Sequence, residues 1–149
     1  MANITVQIAS KNETVPAPRQ IEHWANQALK LQFTQGELCI RVVDNEESAT
    51  LNAQYRKKSG PTNVLSFLGE GPLLLGDIVI CAPLMEQEAK QRGSSVEAHW
   101  AHIVIHGVLH LLGYDHVTDA DASAMEAAEI ELLKDLGYDN PHRDSPDNE

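Results

Sequence analysis

Residues 3–8, NITVQI, alternate apolar and polar side chains, which is the period of a half-buried strand. Pro16 and Pro18 mark a turn. Beyond them Ile21, Trp24, Ala25, Ala28 and Leu29 recur at helical spacing and predict a helix over 18–32, opened by Pro18 and stopped by Gly36. Residues 37–43, ELCIRVV, are rich in β-formers and predict a second strand. Asp44 with Glu47 has the spacing of a capping box, so a short helix through about Tyr55 should follow. After the loop KKSGP, strands are expected at about 62–67 and at 74–81, with a turn-like 68–73 between them. Pro83 opens a helix that Gly93 ends, and Ser94 with Glu97 again has capping-box spacing. Residues 95–112 are apolar on nearly every side, which predicts a buried helix with Gly113 at its C-terminal turn. Thr118 and Asp121 start a last helix, apolar at Ala122, Met125, Leu132, Leu133 and Leu136 and closed by Gly137. Residues 138–149 are polar, carry two prolines and read as a flexible acidic tail.

The element order β α β α β β α α α predicts an α+β fold: a small mixed four-stranded sheet packed against about five helices. At 149 residues, with 42% hydrophobic and 22% charged side chains, residues 1–137 form one domain with a core of its own. The chain has no internal repeat, and no linker divides it. It has no apolar run of 18 residues, so no membrane partner is expected. The start MANITVQIAS lacks a basic stretch followed by an apolar one, so no secretory leader is expected. Two cysteines, Cys39 and Cys81, make no disulfide framework and fit a reducing cytoplasm.

The net charge of −11 argues against a general nucleic-acid binder, but the distribution matters more than the sum. Residues 1–110 hold 9 basic and 11 acidic side chains, while residues 111–149 hold 2 and 11. The acidity is therefore mostly C-terminal. Within the nearly neutral remainder, Arg56-Lys57-Lys58 is the one basic cluster.

The buried helix carries four histidines, and a buried helix has no need of them for packing. His106 and His110 stand four residues apart and share a helix face, so both imidazoles can reach one ion at about 2.0–2.1 Å. Gly113 allows a left-handed turn that brings His116 back towards the same ion. Three protein ligands with an open fourth position is the arrangement of catalytic zinc. His102 is also four residues from His106, but it lies about 12 Å along the axis from His110, too far to share an ion with it. The glycine turn favours the set His106, His110 and His116. His102 is left as a group supporting the ligands or facing substrate, and His99 as a structural residue. His23 and His142 fit no pattern. The segment HGVLHLLGYDH has the histidine and glycine spacing of the metzincin motif H-E-x-x-H-x-x-G-x-x-H, except that Gly107 stands where those proteases carry their catalytic glutamate. A phosphodiester, with its better leaving group, needs less of the help that glutamate gives.

HGVLHLLGYDH, preceded by Tyr55-Arg56, by PTNVLSF at 61–67 and by GDIVI at 76–80, closely resembles the YbeY family of bacterial rRNA-maturation endoribonucleases. The likeness spans about residues 36–137. It implies a zincin-like hydrolase fold and a cytoplasmic, metal-dependent endoribonuclease acting on single-stranded RNA. It also implies a role in 3′-end maturation of small-subunit (16S) ribosomal RNA and in ribosome quality control, with the small subunit or its proteins as partners. On the same resemblance His106, His110 and His116 are the metal ligands, and Arg56 is the catalytic arginine.

The chemistry is compatible with that assignment. One Zn2+ would polarise a phosphoryl oxygen and lower the pKa of a bound water, and nickel, copper or iron also accept three imidazoles. Arg56 could give bidentate contacts to the cleaved phosphate, whereas without the resemblance it reads as a solvated arginine at a helix end. Lys57 and Lys58 are candidates for RNA backbone contact or are plain surface charges. Asp115 either orients a ligand or acts as a base, or else is a turn residue after Gly113. The rival readings are a zincin-type metalloprotease, opposed by Gly107, and a non-catalytic assembly factor holding a structural metal. Cys39 and Cys81, both on predicted strands, read as packing residues.

Overall fold

The computed structural model describes residues 2–32, 35–71, 73–115 and 117–142. Their elements run β1 (Ala2–Ile8), α1 (Pro18–Leu29), β2 (Gly36–Val43), α2 (Asn45–Arg56), β3 (Val64–Leu68), β4 (Leu74–Cys81), α3 (Ala82–Arg92), α4 (Val96–Leu111) and α5 (Asp119–Asp135). The sheet order is β1-β2-β4-β3. β2 pairs parallel with both β1 and β4, and β3 returns antiparallel to β4 as an edge strand. This is the expected mixed sheet of four strands with five helices.

α4 lies at the centre of the core. Its Trp100, Ala101, Val104, Ile105, Val108 and Leu109 are fully buried, packed with Ile21 and Trp24 of α1, Ile40 of β2 and Ile78 and Ile80 of β4. Burying so many large apolar side chains, each worth roughly 1.5–3 kcal/mol, makes this helix a large contributor to the stability of the fold. Gly107 permits the close approach of α4 to β4, since a Cβ there would stand 3.0 Å from Ile78 Cγ2 and 3.2 Å from its Cδ1. A smaller cluster of Val43, Leu65 and Val79, with Leu51 and Phe67, forms a second core. Cys81 is buried and donates from Sγ to Asn45 Oδ1 at 3.2 Å, and Cys39 is half-buried on β2; burial raises the pKa of both thiols.

Several local expectations shift for reasons of tertiary structure. Helix α1 ends at Leu29, well before Gly36, which instead opens β2. Asp44 is the N-cap of α2 but makes no side-chain cap; its carboxylate accepts from the Ser10 hydroxyl and from Lys11 N–H at 3.0 Å. Glu47, the other half of that expected box, instead takes Arg41 of β2 in two hydrogen bonds of 2.6 and 2.9 Å. Ser94 is used up in closing α3, its N–H bonding Ala89 O at 3.0 Å, so the cap of α4 falls to Ser95, which accepts from Ala98 N–H at 3.1 Å. Thr118 caps α5 through Asp121 N–H as expected.

The segment after Gly137 departs from the loose tail read from the sequence, as far as it is described. Tyr138 donates its hydroxyl to Glu97 at 2.7 Å, and burial together with that carboxylate pushes its pKa up to about 12. Arg92 donates to Pro141 O at 2.6 Å, and His142 reaches Glu129. Residues 138–142 therefore lie against the domain.

Candidate active site

Three segments distant in sequence enclose a cleft of about 370 Å³. Arg56 enters it from the end of α2. Asn63 precedes β3, and Val64, Ser66 and Leu68 line the cleft along that edge strand. His106, His110 and Leu111 come from α4. Among the described residues, Arg56 is the one formally charged side chain on its walls. Ser66 ties β3 to the histidine helix by donating to Gly107 O at 3.3 Å. Behind the wall, Asn63 donates to Glu88 at 3.2 Å, and the same carboxylate oxygen takes His99 Nε2 at 2.7 Å. His99 thus ties α4 to Glu88 of α3, in keeping with the structural reading given to it.

The ring centroids of His106 and His110 are 4.8 Å apart, with planes at 82°. Leu112 caps α4, and Gly113 follows at φ +102°, a left-handed position suited to glycine. There Gly113 N–H bonds His110 O at 3.1 Å and Tyr114 N–H bonds Leu109 O at 3.0 Å, so the chain turns back at the expected place. His116 lies outside the described residues. Asp115 Oδ1 accepts from Val117 N–H at 2.9 Å, the turn role of its two readings, and Asp115 lines a separate hollow with Gly113 and Tyr114. Lys57 holds a left-handed conformation at φ +58° past the end of α2, and its Nζ donates to Gln54 O at 3.1 Å. Lys58 is exposed beside it. Neither lysine lines the cleft.

The sequence reading missed the group behind His106. Glu129 of α5 is buried, and its Oε2 accepts from His106 Nδ1 at 2.6 Å. Its Oε1 accepts from His102 Nε2 at 2.9 Å and from His142 Nε2 at 2.7 Å. Burial alone would raise the pKa of this carboxyl, but the three imidazole hydrogen bonds outweigh it and hold the group well below the usual carboxylate range. Burial lowers the pKa of His102 and outweighs the opposite pull of Glu129. A signal for Glu129 existed: it fills the gap between Met125 and Leu132–Leu133 in the apolar stripe of α5, and all four are buried.

The donor set suits a transition-metal ion. His102, His106 and Glu129 present ligand atoms within 4.8 Å of one another, a group that could hold a metal ion. His106 and His110, one turn apart on α4, both line the cleft. Metal-binding histidines commonly give their other ring nitrogen to a carboxylate, as His106 does here.

The family model described as Endoribonuclease YbeY matches residues 6–137. A curated protein named Endoribonuclease YbeY, from Methylococcus capsulatus, is 52% identical to this chain over 97% of both. The solution structure of a Thermotoga maritima protein superimposes with a TM-score of 0.63 over 89% of each chain at 24% identity, a likeness of fold. The matched span takes in Arg56, the β3 wall and both cleft histidines, and on these matches the chain belongs to the endoribonuclease YbeY family.

Proposed function

We propose that this chain is a single-strand-specific, metal-dependent endoribonuclease with one Zn2+ held by His106, His110 and His116. The observation that carries the reading is the shared cleft: Arg56, His106 and His110 come from separate segments and line one opening. When bound, a divalent ion supplies Lewis-acid polarisation of a phosphoryl oxygen and a water of lowered pKa. Arg56 meets the phosphate as a planar fork of donors and stabilises the negative charge that grows on it during cleavage. His106 turns Nδ1 to Glu129, so its ligand contact falls to Nε2. Ser66 and Asn63 hold the opposite wall at a fixed distance from the histidine helix.

Gly107 separates this reading from a protease. The position of the protease glutamate is packed on Ile78 in the core, where even an added Cβ would meet Cγ2 at 3.0 Å. The substrate we assign is single-stranded ribosomal RNA, in 3′-end maturation of the 16S species and in ribosome quality control, with the small subunit as partner and the cytoplasm as location. Among the described residues no helix is long and apolar enough to cross a membrane.

The test is cleavage of a single-stranded RNA by purified protein, with and without chelator, beside Arg56→Ala. Removing one preorganised donor of this kind costs on the order of a hundred- to a thousandfold in rate. Arg56→Lys should recover part of it, keeping the charge but losing the fork. Near-normal cleavage by Arg56→Ala, or cleavage by the wild type indifferent to chelator, refutes the reading.

A further inference from the structure

We propose that Glu129 is a positioning residue for the His106 ligand, and that His142 straps the C-terminal segment onto it. This rests on the proposed metal site and adds to it a part of the chain beyond the last helix.

The argument begins with atom types. An ionised carboxylate accepts hydrogen bonds and donates none, so each imidazole nitrogen facing Glu129 must carry a proton. His106 is thereby fixed as its Nδ1–H tautomer. Oε2 serves His106 at 2.6 Å, while Oε1 serves His102 at 2.9 Å and His142 at 2.7 Å. A carboxylate held on both oxygens is restrained in rotation, and its Oε2 orients the His106 ring through Nδ1.

The distances also tell positioning from ligation. Two ligands of one tetrahedral ion at about 2.0–2.1 Å stand roughly 3.3 Å apart. The contacts around Glu129 are all shorter than that, which is the spacing of direct hydrogen bonds between carboxylate and imidazole. Glu129, His102 and His106 are also joined across two helices, α4 and α5, which pack together in the core.

His142 is different in kind. It comes from a segment with no apolar periodicity, whose contacts include Tyr138 on Glu97 and on the core, Arg92 on Pro141 O, and His142 on Glu129 and, at 3.7 Å, on Glu126. Its ring also lies edge-on to His102, with centroids 5.4 Å apart. The last described residue of the chain thus ends on the carboxylate that orients a ligand. Loss of this contact leaves Oε1 with His102 alone.

The experiment is Zn2+ affinity of the full chain, measured in competition with a chromophoric chelator, together with the visible absorption of the Co2+ form. Glu129→Gln should weaken Zn2+ by roughly 10- to 100-fold, the usual effect of losing such a partner, and should alter the Co2+ spectrum. His142→Ala should weaken it by a smaller factor, roughly three- to tenfold, at an unchanged thermal midpoint. His142→Gln, whose amide nitrogen can replace Nε2, should recover the affinity. His110→Ala is the control on the ligand set. If it binds Zn2+ like the wild type, the proposed metal site itself fails. If His110→Ala loses the ion while Glu129→Gln and His142→Ala bind as tightly as the wild type, the positioning proposal is overturned. Should Glu129→Gln not fold, His142→Ala decides alone. A loss in His142→Ala matched by an equal loss in His142→Gln also overturns the strap.

Discussion

Gly107→Ala isolates the contact that separates this chain from a zincin protease. The added Cβ would stand 3.0 Å from Ile78 Cγ2 and 3.2 Å from Cδ1, against an ordinary carbon contact of about 3.5–4.0 Å. One side must therefore yield by about half an ångström. Ile78 cannot easily do so: it is fully buried in β4, and β-branching leaves it few rotamers. Overpacking of this kind costs about 1–3 kcal/mol. Alanine in place of glycine inside a helix returns about 0.5–1 kcal/mol. The net expectation is a loss of up to about 2.5 kcal/mol, centred near 1 kcal/mol, or up to roughly 10 °C in midpoint for a domain of this size. Urea and thermal denaturation at matched pH would measure it. Ile78→Ala removes the opposing atoms, so it should cost less in the Gly107→Ala background than in the wild type. A Gly107→Ala protein as stable as the wild type, with no coupling to position 78, would refute the packing argument. Gly107→Glu would add a carboxylate to the same buried contact, so restoring the protease motif should destabilise the fold without conferring peptidase activity.

Two further outcomes can be checked directly. Alanine at His106, at His110 or at His116 should cut metal content and abolish RNA cleavage, while His102→Ala should keep most of the ion; metal analysis decides, and the reverse pattern would disprove the assigned ligand set. The pKa of Glu88 is lowered: burial opposes this, but hydrogen bonds from His99 and Asn63 outweigh it. Its contribution to stability is therefore present above the unfolded value near about 4.3 and is lost as pH falls through the lower folded value. Glu88→Gln should be less stable than the wild type at neutral pH, and its midpoint should fall less between neutral and strongly acid pH. Parallel melting curves that fall equally would remove Glu88 from the acid transition.

The parts of this molecule legible in the sequence are those fixed by short-range pattern. The apolar helix, the i and i+4 histidines, the glycine turn and the Thr118 cap all lie within a few residues of their signals, and the structure shows each of them. Arg56 was readable only through the family motif, since a basic residue at a helix end looks the same in or out of a cleft. Asp44 and Glu47 show the opposite case: their spacing promises a local cap, but Lys11, Ser10 and Arg41 arrive from other segments and compete successfully for both carboxylates. Glu129 occupies a position on the apolar stripe of α5, but its neighbours mask that signal. In a helix rich in acidic side chains one more glutamate reads as solvent-facing, and only the packing of α5 on α4 turns it towards His102 and His106. His142 meets Glu129, Glu126 and the His102 ring from the end of an aperiodic stretch, which leaves nothing for a periodicity argument to detect.

The placement of the cleft histidines on the most buried helix has a consequence for how a substrate must behave. The residues on either side of His106 and His110, from Ile105 to Leu109, have no exposed apolar surface, so local opening here would demand nearly the whole unfolding free energy. The histidine face of the site is therefore fixed in shape. On the proposed reading, all the conformational adjustment needed to bring a phosphodiester between Arg56 and the metal face falls to the RNA. A strand free of base pairs can bend its backbone to that fixed shape at little cost. A paired one must first give up its stacking, so on that reading the fixed histidine face favours unpaired RNA.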